Sequence, residues 1–221
     1  MSTADLLKRI VNEVAGYQNG IISASINNLG AEYKMNYGVT IPELEMIAKP
    51  HKGNHELALA LFKEDVRECK ILASMIDDPS KVTGEQIDDW AQSFTNLELV
   101  EQVCSNLFWK STYALSRSIE WCLGNDELLQ RAGLIIAARS ADIQEVKDVV
   151  FEPYINIIEG YDDEQVAKNK STIAFALRQI AKRNDIFKQK AIELATKMAE
   201  SSNEHQAWVG SQLLFELNGD G

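Results

Sequence analysis

The chain has 221 residues, of which 45% are hydrophobic and 25% are charged, the balance of a globular protein with a sizeable core. This composition argues against a disordered chain, and the apolar runs are too short to cross a bilayer. The amino terminus has no basic region followed by a hydrophobic stretch, so we expect a soluble, cytoplasmic protein without a membrane segment.

The charge is distributed unevenly. The formal net charge of −11 differs from that of a nucleic-acid binder whose whole surface is basic. Seven basic residues nevertheless lie between Val166 and Ala191 against Asp185 alone, so this stretch carries +6 and the remainder −17. A run of charge is more often a solvated helix face than a binding site, and the sequence leaves both interpretations open.

Apolar residues recur with helical spacing along the chain, without the sustained alternation that is typical of strands. Pro42 lies in the first turn of one predicted helix, and Thr95 and Glu98 match a capping box at the start of another. The pattern predicts an all-α protein with helices at about residues 3–17, 19–29, 41–49, 54–63, 65–76, 84–93, 96–108, 112–123, 126–139, 142–158, 162–183, 185–200 and 204–217.

Five segments of these helices repeat one another loosely, each with an apolar stripe. They are Val66–Ile76, Leu99–Phe108, Leu128–Arg139, Ser171–Lys182 and Gln206–Leu217, and their starts are 33, 29, 43 and 35 residues apart. Two helices per unit at such a spacing are the signature of a helical solenoid. We therefore predict a single domain over residues 1–221, a curved HEAT-like-repeat solenoid in which the five segments line the concave side. Glu101, Arg131 and the basic stretch would then share one groove.

Few residues suggest a metal or a cofactor. His51 and His55 are four residues apart, but the H-E-x-x-H order of zinc proteases is missing, so no metal site is predicted. Phosphate-binding loops and nucleophile–histidine patterns are missing too, so no cofactor is predicted. The cysteines are an odd number without a C-x-x-C pair, and we expect reduced core residues at Cys69, Cys104 and Cys122. Helix packing is also the simplest role for Trp90, Trp109, Trp121 and Trp208, with Trp109 partly exposed.

Glu101 is an ionisable residue at the edge of an apolar helical stripe. It lies one turn into its helix, where the amino-terminal end of the helix dipole favours an ionised carboxylate. Glu98, three residues earlier, is expected to serve the capping box rather than chemistry. Glu101 suits either a solvated helix edge or a carboxylate that faces a groove. Arg131, at the margin of a later stripe, could pair with Glu101 or hold a phosphate.

Four stretches of the chain resemble, in their order and spacing, the AlkD-type DNA alkylation repair glycosylases, a bacterial family of HEAT-like-repeat enzymes. They are Tyr37–Leu44 with Ile47–Lys49, Glu101–Phe108, Gln130–Gly133 and Ala176–Asn184. The resemblance extends over most of the chain and implies the fold predicted above. It also implies removal of cationic 7-alkylguanine or 3-alkyladenine from double-stranded DNA, without flipping of the lesion into a pocket.

The resemblance implies roles for particular residues. Glu101 takes the place of a catalytic aspartate whose charge stabilises the cationic sugar that forms as the base departs. Arg131 takes the place of an arginine that contacts the backbone near the lesion. Leu97 and Phe175 replace two tryptophans that flank the sugar, so one aromatic face is lost and one is smaller. Glutamate is one methylene longer than aspartate, which shifts the carboxylate in a mechanism that depends on placement.

Three basic residues complete the predicted DNA-binding set, namely Lys170, Arg178 and Lys182. Three hypotheses follow. The protein is a DNA glycosylase in which Glu101 supports hydrolysis of the N-glycosidic bond. Alternatively, it is a catalytically inactive family member that binds DNA structures through phosphate contacts, with little sequence preference. In the third hypothesis the solenoid binds another protein. The acidic part of the chain, outside the basic stretch, would suit such a partner.

Overall fold

The computed structural model describes residues 2–28, 30–31 and 33–219, apart from the side chain of Asn218. These residues contain thirteen α-helices, which confirms the predicted all-α fold class. The chain folds as two compact units, residues 1–113 and 114–221. The single domain expected from the sequence remains a prediction. Within the described residues, no helix combines the length and the apolar character needed to cross a bilayer.

The first unit is built around α5. Its helices are α1 (Thr3–Gly16), α2 (Gly20–Asn28), α3 (Ile41–Ala48), α4 (His55–Phe62), α5 (Arg67–Ile76), α6 (Gly84–Ala91) and α7 (Leu97–Asn106). Helix α5 packs against α3, α4 and α7, and most of its residues are buried. Helices α5 and α7 correspond to two of the five repeated segments, and they lie side by side.

The loop before α3 is anchored to α5 by the buried carboxylate of Glu68. This carboxylate accepts hydrogen bonds of 3.1, 3.1 and 3.2 Å from the backbone amides of residues 37–39. Gly38 has a φ of +73°, and a Cβ there would lie 2.2 Å from the carbonyl oxygen of Asn19. Only glycine suits this position, because other residues would be strained and would clash. Pro42 lies in the first turn of α3, as predicted.

The second unit consists of two layers of helices. After α8 (Thr112–Leu123), which begins at the end of the first unit, it contains α9 (Glu127–Ser140), α10 (Glu152–Glu159), α11 (Asp163–Ala181), α12 (Asp185–Ala199) and α13 (Glu204–Asn218). Helix α11 contacts α9 on one side and α13 on the other, whereas α12 packs against α10, α11 and α13. Helices α9, α11 and α13 therefore form one layer. These three correspond to the remaining repeated segments.

The helix predicted over residues 142–158 is wrong in its first half, since α10 begins only at Glu152. The cause is Arg183, whose side chain is 8% exposed and which follows α11. Its guanidinium donates hydrogen bonds of 2.5 to 3.0 Å to two carbonyl oxygens of the segment, those of Ile143 and Val146, and to that of Ala141 just before it. It also donates to the Asp148 carboxylate at 2.8 Å. A loop that offers its carbonyl oxygens to a distant arginine does not use them in a helix.

The three cysteines are buried core residues that form no disulfide, as predicted. Burial raises the pKa of the Cys69 thiol to about 12, with a smaller contribution from nearby carboxylates. Burial likewise raises the pKa of Cys122 to about 12. These thiols remain protonated at neutral pH, so they pack as small apolar side chains and are poor nucleophiles.

Candidate functional site

Helix α7 presents an apolar side chain and a carboxylate on one exposed side. It begins at Leu97, and its N-cap is Asn96, whose side-chain oxygen accepts the amide of Leu99 at 3.0 Å. Leu97 is 42% exposed, and Glu101, one turn later, is exposed as well. The other side of the helix is buried through Leu99, Val100, Val103 and Cys104. The first unit thus places two of the predicted site residues next to each other.

Glu98 does not cap α7, so the capping-box interpretation is wrong. Its carboxylate accepts two hydrogen bonds from Arg67 of α5, from Nε at 2.8 Å and from Nη2 at 2.5 Å. It accepts a third from the hydroxyl of Tyr33 at 3.0 Å. A bidentate arginine is a stronger partner than a backbone amide, which leaves Asn96 to cap the helix. The pair ties the first turn of α7, and with it the neighbourhood of Glu101, to α5.

Tyr33 completes this network. Burial, together with the negative charge of Glu98, raises the pKa of Tyr33 far above its usual range. The hydroxyl therefore keeps its proton and acts as a donor to Glu98. With three donors on its carboxylate, Glu98 serves the structure of the first unit, whereas Glu101 lies on the exposed side of the same helix.

In the second unit, Arg131 connects α9 to α11. It is 9% exposed. Its Nη2 donates to the carbonyl oxygen of Lys168 at 2.7 Å, and its Nη1 contacts the hydroxyl of Thr172 at 3.2 Å. Most of the guanidinium is thus engaged between two helices of one layer. Contact between Arg131 and a DNA backbone, and a groove shared with Glu101, remain predictions.

The exposed side of α11 carries most of the other predicted residues. Its buried side is formed by Val166, Ile173, Leu177 and Ile180. Exposed or half-buried residues recur every three or four positions on the opposite side, at Lys168, Ser171, Phe175, Arg178 and Lys182. The guanidinium of Arg178 lies 5.6 Å from the centre of the Phe175 ring, a cation–π contact.

Carboxylates of α11 itself and of other elements neutralise much of the basic stretch. The ion pairs are Lys168–Glu164 at 2.8 Å, Arg178–Glu216 at 3.1 Å, Arg183–Asp148 at 2.8 Å and Lys190–Glu152 at 2.6 Å. Lys182 and Lys188 are exposed and take part in none of the ion pairs formed among the described residues. An open cavity of about 380 Å³ lies beside them, between the carboxyl ends of α11 and α13 and the start of α12. Its lining thus includes these two lysines, together with the acidic Asp185 and Glu216.

Trp208 of α13 is a candidate site residue that the sequence did not indicate. Trp90 and Trp121 are buried as expected, at 4% and 9% exposure, but Trp208 is 41% exposed. The ammonium of Lys170 lies over the Trp208 ring, 5.2 Å from its centre. Phe215, seven residues later, is 77% exposed. The available sequence signal is this seven-residue spacing, which is out of phase with the buried stripe of α13.

The repeated segments, side by side as α5 with α7 and as α9 with α11 and α13, define a HEAT-like helical-repeat protein. The exposed face of α11 and α13 gives it a basic and aromatic surface. The sequence matches the profile of the DNA alkylation repair enzyme family over residues 11–207, so the chain belongs to that family. The predicted resemblance is thereby confirmed.

One solved structure with a similar fold is described as "A new family of proteins related to the HEAT-like repeat DNA glycosylases with affinity for branched DNA structures". It is 21% identical in sequence, the match covers 94% of this chain and 93% of that chain, and the TM-score is 0.73. No curated protein matches the sequence. The structural similarity supports the predicted HEAT-like fold.

Proposed function

We propose that the protein binds DNA through the exposed face of α11 and α13 in the second unit. Two cation–aromatic contacts on this face support the proposal, Arg178 with Phe175 and Lys170 with Trp208. Cations placed beside exposed or half-buried aromatic rings suit a nucleic acid, because phosphates attract the cations and bases or sugars contact the rings. Membership of the DNA alkylation repair enzyme family points to the same ligand.

The ion pairs on this face do not prevent phosphate binding. In the pair between Arg178 and Glu216, the two side chains are 34% and 23% exposed. A pair in contact with water contributes about 0–1 kcal/mol. A DNA phosphate accepts the same guanidinium donors as a carboxylate, and counterions leave the DNA when the protein binds. Arg178 can therefore exchange Glu216 for a phosphate at low cost. Lys182 takes part in no ion pair among the described residues, so it can bind a phosphate without breaking one.

The experiment measures the affinity for a short duplex by fluorescence anisotropy over a series of salt concentrations. We expect Arg178→Gln and Lys182→Gln each to reduce the slope of log K against log[salt] by about 1. Lys197→Gln is the matched control. Lys197 lies on α12, is 69% exposed and pairs with Glu159 of α10 at 2.8 Å. The same loss of slope in the control, or no binding at low salt, would contradict the proposal and leave a protein partner as the alternative.

A second function, excision of cationic alkylpurines, is supported by the exposure of Glu101 beside Leu97 on α7. In this reaction the N-glycosidic bond breaks and its electron pair stays with the base, which loses its positive charge. The carboxylate of Glu101 stabilises the cationic sugar, and a water molecule adds to it and releases a proton. Leu97 offers apolar contact to the sugar but no aromatic face.

Base release from methylated duplex, followed by chromatography, tests this second function. We expect the unmodified protein to release alkylpurine and Glu101→Gln to abolish release while DNA affinity is kept. Glu45→Gln is a suitable control, because Glu45 is an exposed carboxylate on α3. DNA binding without any release would instead identify a catalytically inactive member of the family that recognises DNA structures.

A further inference from the structure

Helix α13 exposes two large aromatic side chains, Trp208 and Phe215. They are 41% and 77% exposed, whereas Val209 and Leu213 of the same helix are fully buried. Residues seven positions apart are separated by about two turns and lie on one side of a helix. Exposed aromatic rings on a common side form an apolar surface that indicates a binding site when polar or charged groups surround it.

The surroundings of this surface are basic on the side of α11. Lys170 Nζ lies over the Trp208 ring at 5.2 Å, and Arg178 reaches α13 through Glu216 at 3.1 Å. Phe175, which Arg178 covers at 5.6 Å, adds a third ring on the neighbouring helix. Three aromatic side chains and at least two cations thus lie on adjacent helices of one layer.

The chemistry of this surface favours one occupant. A wholly apolar partner would have to bury the Lys170 ammonium without a compensating charge, which is costly. A nucleic-acid strand supplies phosphates for the cations and base faces for the rings. In a paired duplex, however, the faces of the bases are covered by their stacked neighbours, so only phosphates, sugars and base edges are accessible. Exposed rings can stack only on bases that are unpaired or splayed out.

We propose that Trp208 and Phe215 stack on unpaired bases, and that the protein consequently binds DNA with a single-stranded flap more tightly than fully paired duplex. This inference rests on the DNA binding proposed above. Phosphate contacts by Arg178 and Lys182 are common to both kinds of DNA. Stacking on α13 is added only where unpaired bases are present.

The experiment compares the affinity for a paired duplex with that for the same duplex carrying an unpaired flap. We expect Trp208→Ala and Phe215→Ala each to weaken binding of the flap DNA roughly 5- to 150-fold, the range for one lost stacked base, and to weaken duplex binding much less, because a duplex offers these rings no base face. Trp208→Phe should restore most of the flap affinity. Tyr17→Ala, which removes a 42% exposed aromatic from the first unit, is the control and should change neither affinity.

The outcomes separate this inference from the proposed function. Equal affinity for duplex and flap, or an equal loss for both in Trp208→Ala, would overturn stacking while DNA binding stands. Absence of binding to either DNA would overturn both. If sedimentation shows that the protein self-associates and that Trp208→Ala makes it monomeric without an effect on flap affinity, the surface is an interface between two copies of the chain, and the inference is refuted.

Discussion

Replacing Arg67 with methionine tests how α7 is held in the first unit. The Arg67 guanidinium donates to Glu98 at 2.8 and 2.5 Å, to Glu68 at 2.9 Å and to the carbonyl oxygen of Val39 at 2.9 Å. Its side chain is 3% exposed, and that of Glu68 is fully buried. Methionine approximates the volume of the arginine stem but leaves both carboxylates without their cation.

The magnitude follows from the burial of the two carboxylates. Removal of one partner from a buried ion pair costs about 3–5 kcal/mol, because the remaining charge is uncompensated. Glu68 keeps its three backbone amide donors, and Glu98, at 27% exposure, regains some water. We therefore expect the lower end of the range, a loss of about 3 kcal/mol in the free energy of unfolding. Since a domain is stable by only about 5–15 kcal/mol, this loss is large.

Urea unfolding followed by circular dichroism measures the loss, and hydrogen exchange of the α5 and α7 amides locates it. Adding Glu98→Gln to Arg67→Met should destabilise the protein by less than the sum of the single effects, because one uncompensated charge is removed. Arg9→Met is the control, since Arg9 is exposed on α1. A loss below about 1 kcal/mol for Arg67→Met, ordinary for a point substitution, would refute the idea that this pair holds α7.

Three further predictions concern packing, thiols and pH. Gly210→Ala should lower the melting temperature, because its Cβ would lie 2.3 Å from the backbone of α12; Gly16→Ala, with open space around the new Cβ, should not. Cys69, whose pKa burial raises to about 12, should react with a thiol reagent slowly in the native state and promptly in urea, and prompt native labelling would contradict its burial. The hydrogen bond from Arg183 lowers the pKa of Asp148 below its ordinary 3.8, so this carboxylate stabilises the fold above that pH and its contribution is lost as the pH falls through the lower folded value. Asp148→Asn should therefore flatten the acid limb of the stability curve, and an unchanged limb would argue against the pair.

Local pattern was sufficient for most of the secondary structure. Pro42 marks the first turn of α3, and the periodic apolar residues place all five repeated segments on helices. This works because a helix buries one side, and that side recurs in contiguous sequence. The segment 142–151 departs from the prediction because Arg183, from beyond α11, takes up its carbonyl oxygens.

The candidate site depended more on contacts between distant residues. Glu98 has a capping-box pattern, yet its carboxylate pairs with Arg67, which is 31 residues away in sequence. By residue type alone, nothing separates Trp208 from the buried Trp90 and Trp121, but in the folded protein Trp208 is 41% exposed. The sequence indicated where Glu101, Phe175 and the basic residues lie on their helices. Their spacing did not indicate which charged residues form ion pairs.

The sequence by itself determined the type of each helix, the side that it buries and the family to which the chain belongs. Only the tertiary structure decided which charges remain accessible to a partner. The basic stretch carries +6 in the sequence, but glutamate and aspartate residues elsewhere neutralise much of it, and Lys182 and Lys188 are outside the ion pairs formed among the described residues. Burial follows from periodicity over a few turns, whereas ion pairing depends on distances of a few ångströms between side chains that only folding brings together.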